Sequence, residues 1–346
     1  MAYSAIAKPG DYFNTVTYSG NGSNDHTITG VGFNADFVWI KPRSGSDDHR
    51  LFNQVAGINK YLETNNTNTE VTDAILTTNS DGYVLTNAGE VNSGTTTYVG
   101  WNWLAGGGTT TNPSGGTITT TASVNTTAGF SVFTYTGTGV AAHLAHGLGV
   151  APTVVIIKGR SNTDQWFVKH PGIASNEYLY FNLTSAKVSG ANVWSATNPD
   201  ATKIYVGTDA GVNGSGVTYV CYAFAEKKGY SKFGSYTGGS DPFVYLGFKP
   251  AFVMFKNANA TENWRIVDNK RDDDNPVVQH LYPNTNGAEG SGASYSDFID
   301  FLSNGFKIRS GSGEVDGSGN TITYMAFAEN PFVGNVSGTA VPVTAR

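Results

Sequence analysis

The chain of 346 residues has one cysteine and no long apolar run. A single cysteine, Cys221, excludes an intramolecular disulfide framework and a cysteine-rich zinc site. It lies among apolar residues in TYVCYAFAE, which predicts an inert core thiol rather than a reactive nucleophile. The lack of about 18 consecutive apolar residues excludes a membrane-spanning helix. The opening residues, MAYSAIAKPGDYF, lack the basic and apolar regions of a secretory signal, so we expect none.

Charge is also scarce, since only 14% of the residues are Asp, Glu, Lys or Arg, with a net charge of −6. No cluster of Lys and Arg forms the basic surface that neutralises phosphates, so we expect no nucleic-acid partner. Gly, Thr, Ser and Asn are abundant instead, mixed with β-branched and aromatic residues. This mixture predicts many short strands joined by tight turns.

An internal repeat organises the chain. Three times, an apolar run ends in a lysine and a large ring follows eight residues later, at Lys41 and His49, Lys158 and Trp166, and Lys256 and Trp264. A leucine with an asparagine three residues on then follows, at Leu62 and Asn65, Leu179 and Asn182, and Leu281 and Asn284. The copies open with TYSGNG, TYTGTG and SYTGGS and close with TYVGWNW, TYVCYAFAE and TYMAFAE. Units of roughly 100 residues are large enough to bury their own cores, unlike solenoid repeats.

Each unit has the pattern of a β-sheet domain. Short runs such as SVFTYTG and TVVIIKG are separated by Gly, Asn, Asp or Pro, and no segment keeps a helical periodicity. We therefore predict an all-β chain of three tandem related β-sandwich domains of jelly-roll or lectin-like type. The predicted parts are the first unit (1–104), a flexible Gly/Thr-rich linker (105–121), the second unit (122–228), the third unit (229–333) and an extended C-terminal tail (334–346).

The step from lysine to tryptophan has a structural interpretation. Lys158 is expected to mark the point where a core strand leaves for solvent, and Trp166 to begin the next strand. We predict that Trp166 and Trp264 pack between the two sheets of their units, with a ligand platform as the alternative. His49, in the same slot of the first unit, is expected to be a half-buried substitute, with a metal ligand as the alternative.

Two clusters offer metal-ligating groups. HLAH, His143 to His146, has no Glu or Cys nearby, so a structural role is preferred to a metal site. KRDDDN, Lys270 to Asn275, could offer oxygens to Ca²⁺, but it lacks the ligand spacing and closing glutamate of an EF-hand. A solvated loop is the preferred interpretation, and whether any loop binds Ca²⁺ stays open.

Catalytic motifs are missing from the sequence. Glu226 and Glu329 occupy equivalent positions in the second and third units, and a general acid is not expected twice in parallel copies. We predict that each makes a local hydrogen bond or ion pair at a strand end. No nucleophile elbow, phosphate loop or dinucleotide fingerprint occurs. The prediction is a protein that is not an enzyme, with no catalytic residues, metal or cofactor, and with ligand-binding residues that the sequence does not identify.

Several phrases carry a family resemblance: AKPGDYFNTVTYSGNG, GVGFNADFVWIK, AHGLGVAP, EKKGYSKFGSYTG, FLSNGFKIR and YMAFAENPF. With them the chain resembles, over nearly its whole length, a β-rich domain of uncharacterised function in virion proteins of marine and cyanobacterial tailed phages. The resemblance implies a structural protein located in the virion and assembled in the host cytoplasm.

The resemblance leaves two functions open. The preferred one is a tail-fibre or receptor-binding component that adheres to host-surface glycans. The alternative is a capsid decoration (cement) protein or tail connector with a purely structural role. The implied partners are other virion proteins, host-surface carbohydrate and further copies of the chain, a homotrimer being preferred, with no nucleic acid and no membrane insertion.

Overall fold

The structure, a computed structural model, describes residues 4–239, 241–291, 298–310, 312–336 and 339–342. Antiparallel strands dominate these ranges, which confirms the all-β prediction. A 3-10 turn at Pro9–Asp11 precedes the first strand. The described α-helices are α1 (Gly89–Asn92), α2 (Ala191–Trp194), α3 (Ala210–Asn213) and α4 (Gly313–Asp316). Within the described ranges, none of these helices is long enough to cross a membrane.

The first unit consists of a six-stranded and a three-stranded sheet. Its strands are β1 (Phe13–Ser19), β2 (His26–Ile28), β3 (Phe37–Pro42), β4 (Arg50–Asn53), β5 (Lys60–Leu62), β6 (Val71–Thr72), β7 (Leu76–Asn79), β8 (Gly82–Leu85) and β9 (Thr97–Trp103). The larger sheet has the order β1-β9-β3-β4-β5-β6 and the smaller one β2-β8-β7. The last strand, β9, therefore lies between the opening strand and β3.

The second unit repeats this arrangement. Its strands are β10 (Thr121–Asn125), β11 (Phe130–Thr136), β12 (Ala142–Ala145), β13 (Val154–Gly159), β14 (Phe167–Lys169), β15 (Glu177–Tyr180), β16 (Val188–Ser189), β17 (Lys203–Val206) and β18 (Thr218–Phe224). The main sheet has the order β10-β11-β18-β13-β14-β15-β16, and β12 pairs with β17 in a second sheet. The closing strand, β18, again separates the opening strand from the strand that carries the repeat lysine.

The third unit and the C-terminal residues complete the chain. Their strands are β19 (Ser231–Thr237), β20 (Phe243–Tyr245), β21 (Phe248–Asn257), β22 (Trp264–Asp268), β23 (Gln279–His280), β24 (Gly290–Ser291), β25 (Phe298–Leu302), β26 (Gly305–Ser310), β27 (Thr321–Pro331), β28 (Val333–Val336) and β29 (Thr339–Pro342). The main sheet has the order β19-β27-β21-β22, and β20-β26-β25 form a second sheet. The division into three tandem domains stays a prediction, because a repeated strand order does not show that each unit folds alone.

The strands that carry the repeat lysines are buried on both faces. In β3, Val38 and Ile40 pack in a core that belongs to the first unit, whereas Phe37 and Trp39 face a different core. The same alternation holds in β13 and β21. Because successive side chains of a strand point to opposite faces, two-sided burial gives continuous apolar runs rather than an alternating pattern.

The second face of these strands contributes to a central core that all three units share. Aromatic rings from different units meet there, with centroids 4.6 Å apart for Phe37 and Tyr222 and 5.0 Å apart for Phe13 and Phe327. Ile6 from the N-terminal segment is also part of this core. The units are therefore packed against one another around buried apolar surface, the strongest general stabilising contribution to a fold.

The structure adds detail to two of the predicted connections. The start of segment 105–121 is held by the buried carboxylate of Asp36, which accepts hydrogen bonds from the backbone N–H groups of Ala105, Gly107 and Gly108 at 2.7–3.0 Å. The predicted Gly/Thr-rich linker therefore begins with residues anchored to the first unit, and its flexibility stays a prediction. The predicted extended tail contains a hairpin, since β28 pairs with β29; residues 337, 338 and 343–346 lie outside the described residues.

Candidate binding cleft and the contacts that support it

The three repeat lysines occupy matching positions in their sheets. Each is the next-to-last residue of its strand, and the ladder partners are Val99 for Lys41, Val220 for Lys158 and Thr323 for Lys256. All three lysines are completely buried, so the prediction that Lys158 leads the chain into solvent is wrong. The lysine lies on the strand face that points to the central core, where the neighbouring unit covers it.

Backbone carbonyls surround each buried ammonium group. Nζ of Lys158 donates to its own loop at Gly159 and Asn162 and to Thr67 of the first unit, at 2.8–3.3 Å. Nζ of Lys256 likewise reaches Thr184 of the second unit at 2.9 Å. Burial lowers the pKa of Lys41, Lys158 and Lys256 to about 8. All three lysines therefore organise the loop after their strand, Lys41 through the carbonyls of Pro42 and Gly45. Lys158 and Lys256 also fasten that loop to the preceding unit.

The ring eight residues later makes an equivalent contact across each boundary between units. In every case a ring N–H donates to the carbonyl that follows the repeat leucine in another unit. The pairs are Trp166 with Glu63 at 3.0 Å, Trp264 with Tyr180 at 2.9 Å, and His49 with Tyr282 at 3.0 Å. The contacts run from second to first, third to second and first to third, so they close a ring of three units.

These contacts correct two predictions about the rings. Trp166 and Trp264 are buried as expected, but they lie in the central core between units and not between the two sheets of their own unit. His49 is fully buried rather than half-buried. Its Nδ1 accepts from the Trp39 indole at 2.9 Å, which fixes the Nε2–H tautomer. Burial, with Lys41 nearby, lowers the pKa of His49 well below its ordinary value.

The repeated asparagine holds the ring in place within each unit. Its side-chain oxygen accepts the backbone N–H of the ring residue, in Asn65 with His49, Asn182 with Trp166 and Asn284 with Trp264, at 2.9–3.1 Å. The asparagine N–H then donates to the residue just before the ring. The asparagine three residues after the repeat leucine thus fixes two successive residues, the ring residue and the one before it, at the start of the second core strand.

The candidate metal and catalytic residues have structural surroundings. His146 accepts from the Leu148 N–H and contacts the Asp200 carbonyl at 3.2 Å, while the nearby His143 is half-buried. Burial raises the pKa of Cys221 well above its ordinary value, as for an inert core thiol. Asp272, in the 270–275 loop, accepts from the backbone N–H groups of Val278 and Gln279. Among the described residues, no three His, Cys, Asp or Glu side chains are grouped to hold a metal ion.

The two equivalent glutamates make the local contacts that were predicted for them. Glu226 accepts the backbone N–H of Phe233 at 2.7 Å. Glu329 pairs with Lys249 at 2.9 Å. Glu226 also lines an open cleft beside β20, which is the first surface feature of interest in the third unit.

We call this feature the aromatic cleft; it measures about 450 Å³ and is lined by Glu226, Lys228, Gly229, Ser231, Lys232, Tyr245, Leu246, Gly247 and Phe332. It forms because β20 is short and buries only one of its two faces. Val244 is buried, so the residues on either side of it point outwards, and Tyr245 is 54% exposed. Phe332 is 39% exposed and is placed by its backbone N–H, which donates to Gly247 at 3.2 Å.

Charged groups surround the rings of the aromatic cleft. The ammonium group of Lys232 lies 5.5 Å from the centre of the Tyr245 ring and donates to the Tyr245 carbonyl. Desolvation of the carboxyl raises the pKa of Glu226, with the Phe233 N–H and Lys232 acting in the opposite direction. The cleft thus combines the rings of Tyr245 and Phe332 with positively and negatively charged groups that can form hydrogen bonds. This combination suits a ligand that has both an apolar and a polar face.

Sequence reasoning missed this cleft. No role was predicted from the sequence for FVYLGF, the run that contains β20. The signal in the sequence is the alternation of Phe243 and Tyr245 around Val244. If only the valine side of the strand faces the core, both aromatic side chains must point to solvent. In the other two units, the strands that correspond to β20 are β2 and β12, and their outward residues are Thr27 and His143. The exposed aromatic residues of β20 therefore distinguish the third unit.

The fold is thus an all-β assembly of repeated antiparallel sheets around a shared core. The model of a family described as a domain of unknown function, DUF7483, matches residues 8–331. The match spans most of the sequence, so the chain belongs to this family. No curated protein and no solved structure matches the chain.

Proposed function

We propose that the chain is a structural protein of a phage particle, and that it adheres to host-surface glycans as a tail-fibre or receptor-binding component. The observation that carries adhesion is the aromatic cleft, where the exposed rings of Tyr245 and Phe332 stand beside Lys228, Lys232 and Glu226. Aromatic rings pack on the apolar face of a sugar, and the charged groups hydrogen-bond its hydroxyls. The resemblance in sequence to tailed-phage virion domains supports the location in the virion.

The proposal includes the way in which the chain acts. It works without catalysis, beside other virion proteins, and as a homo-oligomer, with a trimer preferred. A shallow cleft binds one sugar weakly, so copies held together gain avidity that a single copy lacks. With few charges and a net charge of −6, binding should depend only weakly on salt.

A decoration protein of the capsid or a connector of the tail is the second candidate. All six tryptophans are buried, so in the aromatic cleft the ring platforms for sugars would be Tyr245 and Phe332. Exposed aromatics of this kind also form surfaces on which another protein packs. In this role the aromatic cleft would receive a virion protein.

The test compares two exposed aromatics of one strand. Tyr245 lines the cleft, whereas Phe243, 48% exposed, does not, so Phe243→Ala is the matched control for Tyr245→Ala. Binding to envelope polysaccharides purified from marine and cyanobacterial strains should weaken at least tenfold in Tyr245→Ala and persist in Phe243→Ala.

Three results would count against glycan adhesion. Binding to no polysaccharide, or equal binding by both variants, would remove the aromatic cleft from the account. Loss of incorporation into particles by Tyr245→Ala, without glycan binding, would favour the decoration or connector role. Release of reducing ends from the polysaccharide would show that the chain is an enzyme.

A further inference from the structure

The residue twelve positions after each repeat lysine makes a matched contact across one boundary between units. These residues are Asn53, His170 and Asp268. One atom of each side chain accepts a backbone N–H of its own loop, at 2.8–3.1 Å. Another atom meets the closing strand of another unit, in the pairs Asn53 with Tyr222, His170 with Tyr324 and Asp268 with Trp101. Each boundary therefore carries a different group at the same place: an amide, an imidazole and a carboxylate.

The contact between the second and third units differs from the other two at a second position. Ala258 stands two residues after the repeat lysine, where the other units have Arg43 and Arg160. Its carbonyl accepts the backbone N–H of Lys187, where the other contacts have a glutamate. Lys187 pairs instead with Glu177 of its own unit at 3.1 Å. The backbone bond is thus kept, but the arginine–glutamate pair of the other contacts has no counterpart at this position.

The contact through His170 requires a neutral imidazole. Nδ1 accepts the Gly172 N–H and Nε2 donates to the Tyr324 carbonyl of the third unit, both at 3.1 Å. A protonated ring has an N–H at both positions, so its Nδ1–H would face the Gly172 N–H. Burial lowers the pKa of His170 to about 4, with the Tyr324 carbonyl acting in the opposite direction. Asn53 makes its two contacts with a group that does not titrate.

The surroundings of His170 do not compensate a positive charge. A cavity of about 10 Å³, roughly enough for one water, lies beside the ring between the two units. Among the described residues that line it, Tyr324 is the other titratable group, and burial raises its pKa to about 12, so it is neutral. Lys169, the preceding residue, extends into the core of the second unit, where it donates to the Ser175 carbonyl. A charged His170 is therefore stable only where the two units separate and water reaches the ring.

We propose that His170 is an acid-sensitive switch, whose protonation opens the contact between the second and third units and leaves the contact between the first and second units closed. The connection between β18 and β19 (residues 225–230) then holds the two separated units together. The contact between the first and third units also depends on a histidine, His49, but it keeps the pair of Arg43 with Glu289. The contact between the second and third units therefore opens first as the pH falls. The switch does not depend on what the aromatic cleft binds.

Hydrogen exchange of single amides, measured by NMR on the whole chain, tests the switch. The N–H groups of Lys187 and Glu70 occupy matching places, since each donates to the carbonyl two residues after a repeat lysine. Opening exposes an imidazole with an ordinary pKa of about 6.5, so the closed contact is fully stable above pH 6.5 and weakens towards pH 4. Protection of the Lys187 amide, relative to its intrinsic exchange rate, should fall about twentyfold between pH 7 and pH 5. Protection of the Glu70 amide should change by less than about threefold over the same range.

Two variants assign the response to one histidine. His170→Asn, which introduces the residue of the first unit, should remove the pH dependence at Lys187. His143→Asn, a change at a half-buried histidine of the same unit, should keep it. Three results would overturn the switch: unchanged protection at Lys187 between pH 7 and pH 5, an equal fall at Lys187 and Glu70, which would mean that acid weakens the whole fold, or a fall that persists in His170→Asn.

Discussion

The contact between the third and first units and the contact between the second and first units use the same positions with different chemistry. At both contacts an arginine lies two residues after the repeat lysine, and its backbone carbonyl accepts the backbone N–H of a glutamate in the other unit. The pairs are Arg43 with Glu289 and Arg160 with Glu70. Both arginines also pair with that glutamate, at 2.8 Å and 2.6 Å. The difference lies in what is buried behind each pair.

Behind Arg43 and Glu289 lies a charged network whose inner members, Arg271 and Asp268, are fully buried. Arg271 bridges Glu289 and Asp268 at 2.9 Å and 2.6 Å, and Asp268 also accepts from the Trp101 indole of the first unit at 3.0 Å. The side chains of Arg271 and Asp268 are both 0% exposed, whereas those of Arg160 and Glu70 keep 16% and 11%. The third and first units are not consecutive in the chain, and behind the arginine–glutamate pair their contact adds the fully buried ion pair of Arg271 and Asp268.

The largest effect is expected from the rings of the shared core. Trp264→Ala should lower the free energy of unfolding by about 3–5 kcal/mol, because a large buried side chain leaves a cavity. It also leaves the Tyr180 carbonyl without its donor. Chemical denaturation of the whole chain measures the loss, with exposed Tyr245→Ala as the control. If the loss appeared in only one of several separate unfolding transitions, the contacts between units would not couple the three units as the shared core implies.

Removing Asp268 tests the contact that closes the ring. Asp268→Ala should cost about 3 kcal/mol, because it leaves the buried guanidinium of Arg271 partly uncompensated. Glu70→Ala, which removes the partly exposed pair at the contact between the first and second units, should cost about 1 kcal/mol, since solvent reaches that pair. Equal losses in denaturation midpoints would show that burial does not distinguish the two contacts.

Acid should weaken the contacts that depend on neutral histidine. His170 donates from Nε2 to the Tyr324 carbonyl of the third unit and accepts from the Gly172 N–H at Nδ1, so protonation removes its acceptor. Burial lowers the pKa of His170 to about 4. The unfolded chain, with an ordinary pKa of about 6.5, binds more protons below that pH, so stability is full above pH 6.5 and falls towards pH 4.

His170 should account for a loss on the order of 2 kcal/mol in the free energy of unfolding between pH 7 and pH 5. Denaturation at a series of pH values measures this slope, which His170→Asn should reduce. An identical slope in the variant would remove His170 from the acid response. His49, whose pKa burial lowers well below its ordinary value, should act in the same direction at the contact between the first and third units.

The sequence predicted the all-β class because strand runs and turn residues are local signals. The spacing of lysine, ring, leucine and asparagine also located residues that do occupy matching places in the sheets. It did not predict that Lys158 is buried, because a lysine after an apolar run ordinarily marks the exit to solvent. The carbonyls of its own loop and that of Thr67, 91 residues earlier in the neighbouring unit, together make burial tolerable, and the contact with Thr67 has no local sequence signal.

The faces of the strands, and with them the aromatic cleft, were harder to predict for a related reason. Val155 and Ile156 face different cores, and a run buried on both faces has no periodicity from which to assign inside and outside. Tyr245 could have been assigned from the alternation around Val244.

The central claim is that three units close into one body around a shared core, and calorimetric unfolding of the intact chain tests it most directly. The account predicts one cooperative transition, in which the calorimetric and van 't Hoff enthalpies agree. Asp268→Ala and Trp264→Ala should each shift that whole transition downwards. Three separable transitions, with each variant moving only the transition of its own unit, would contradict the account and favour independent tandem domains.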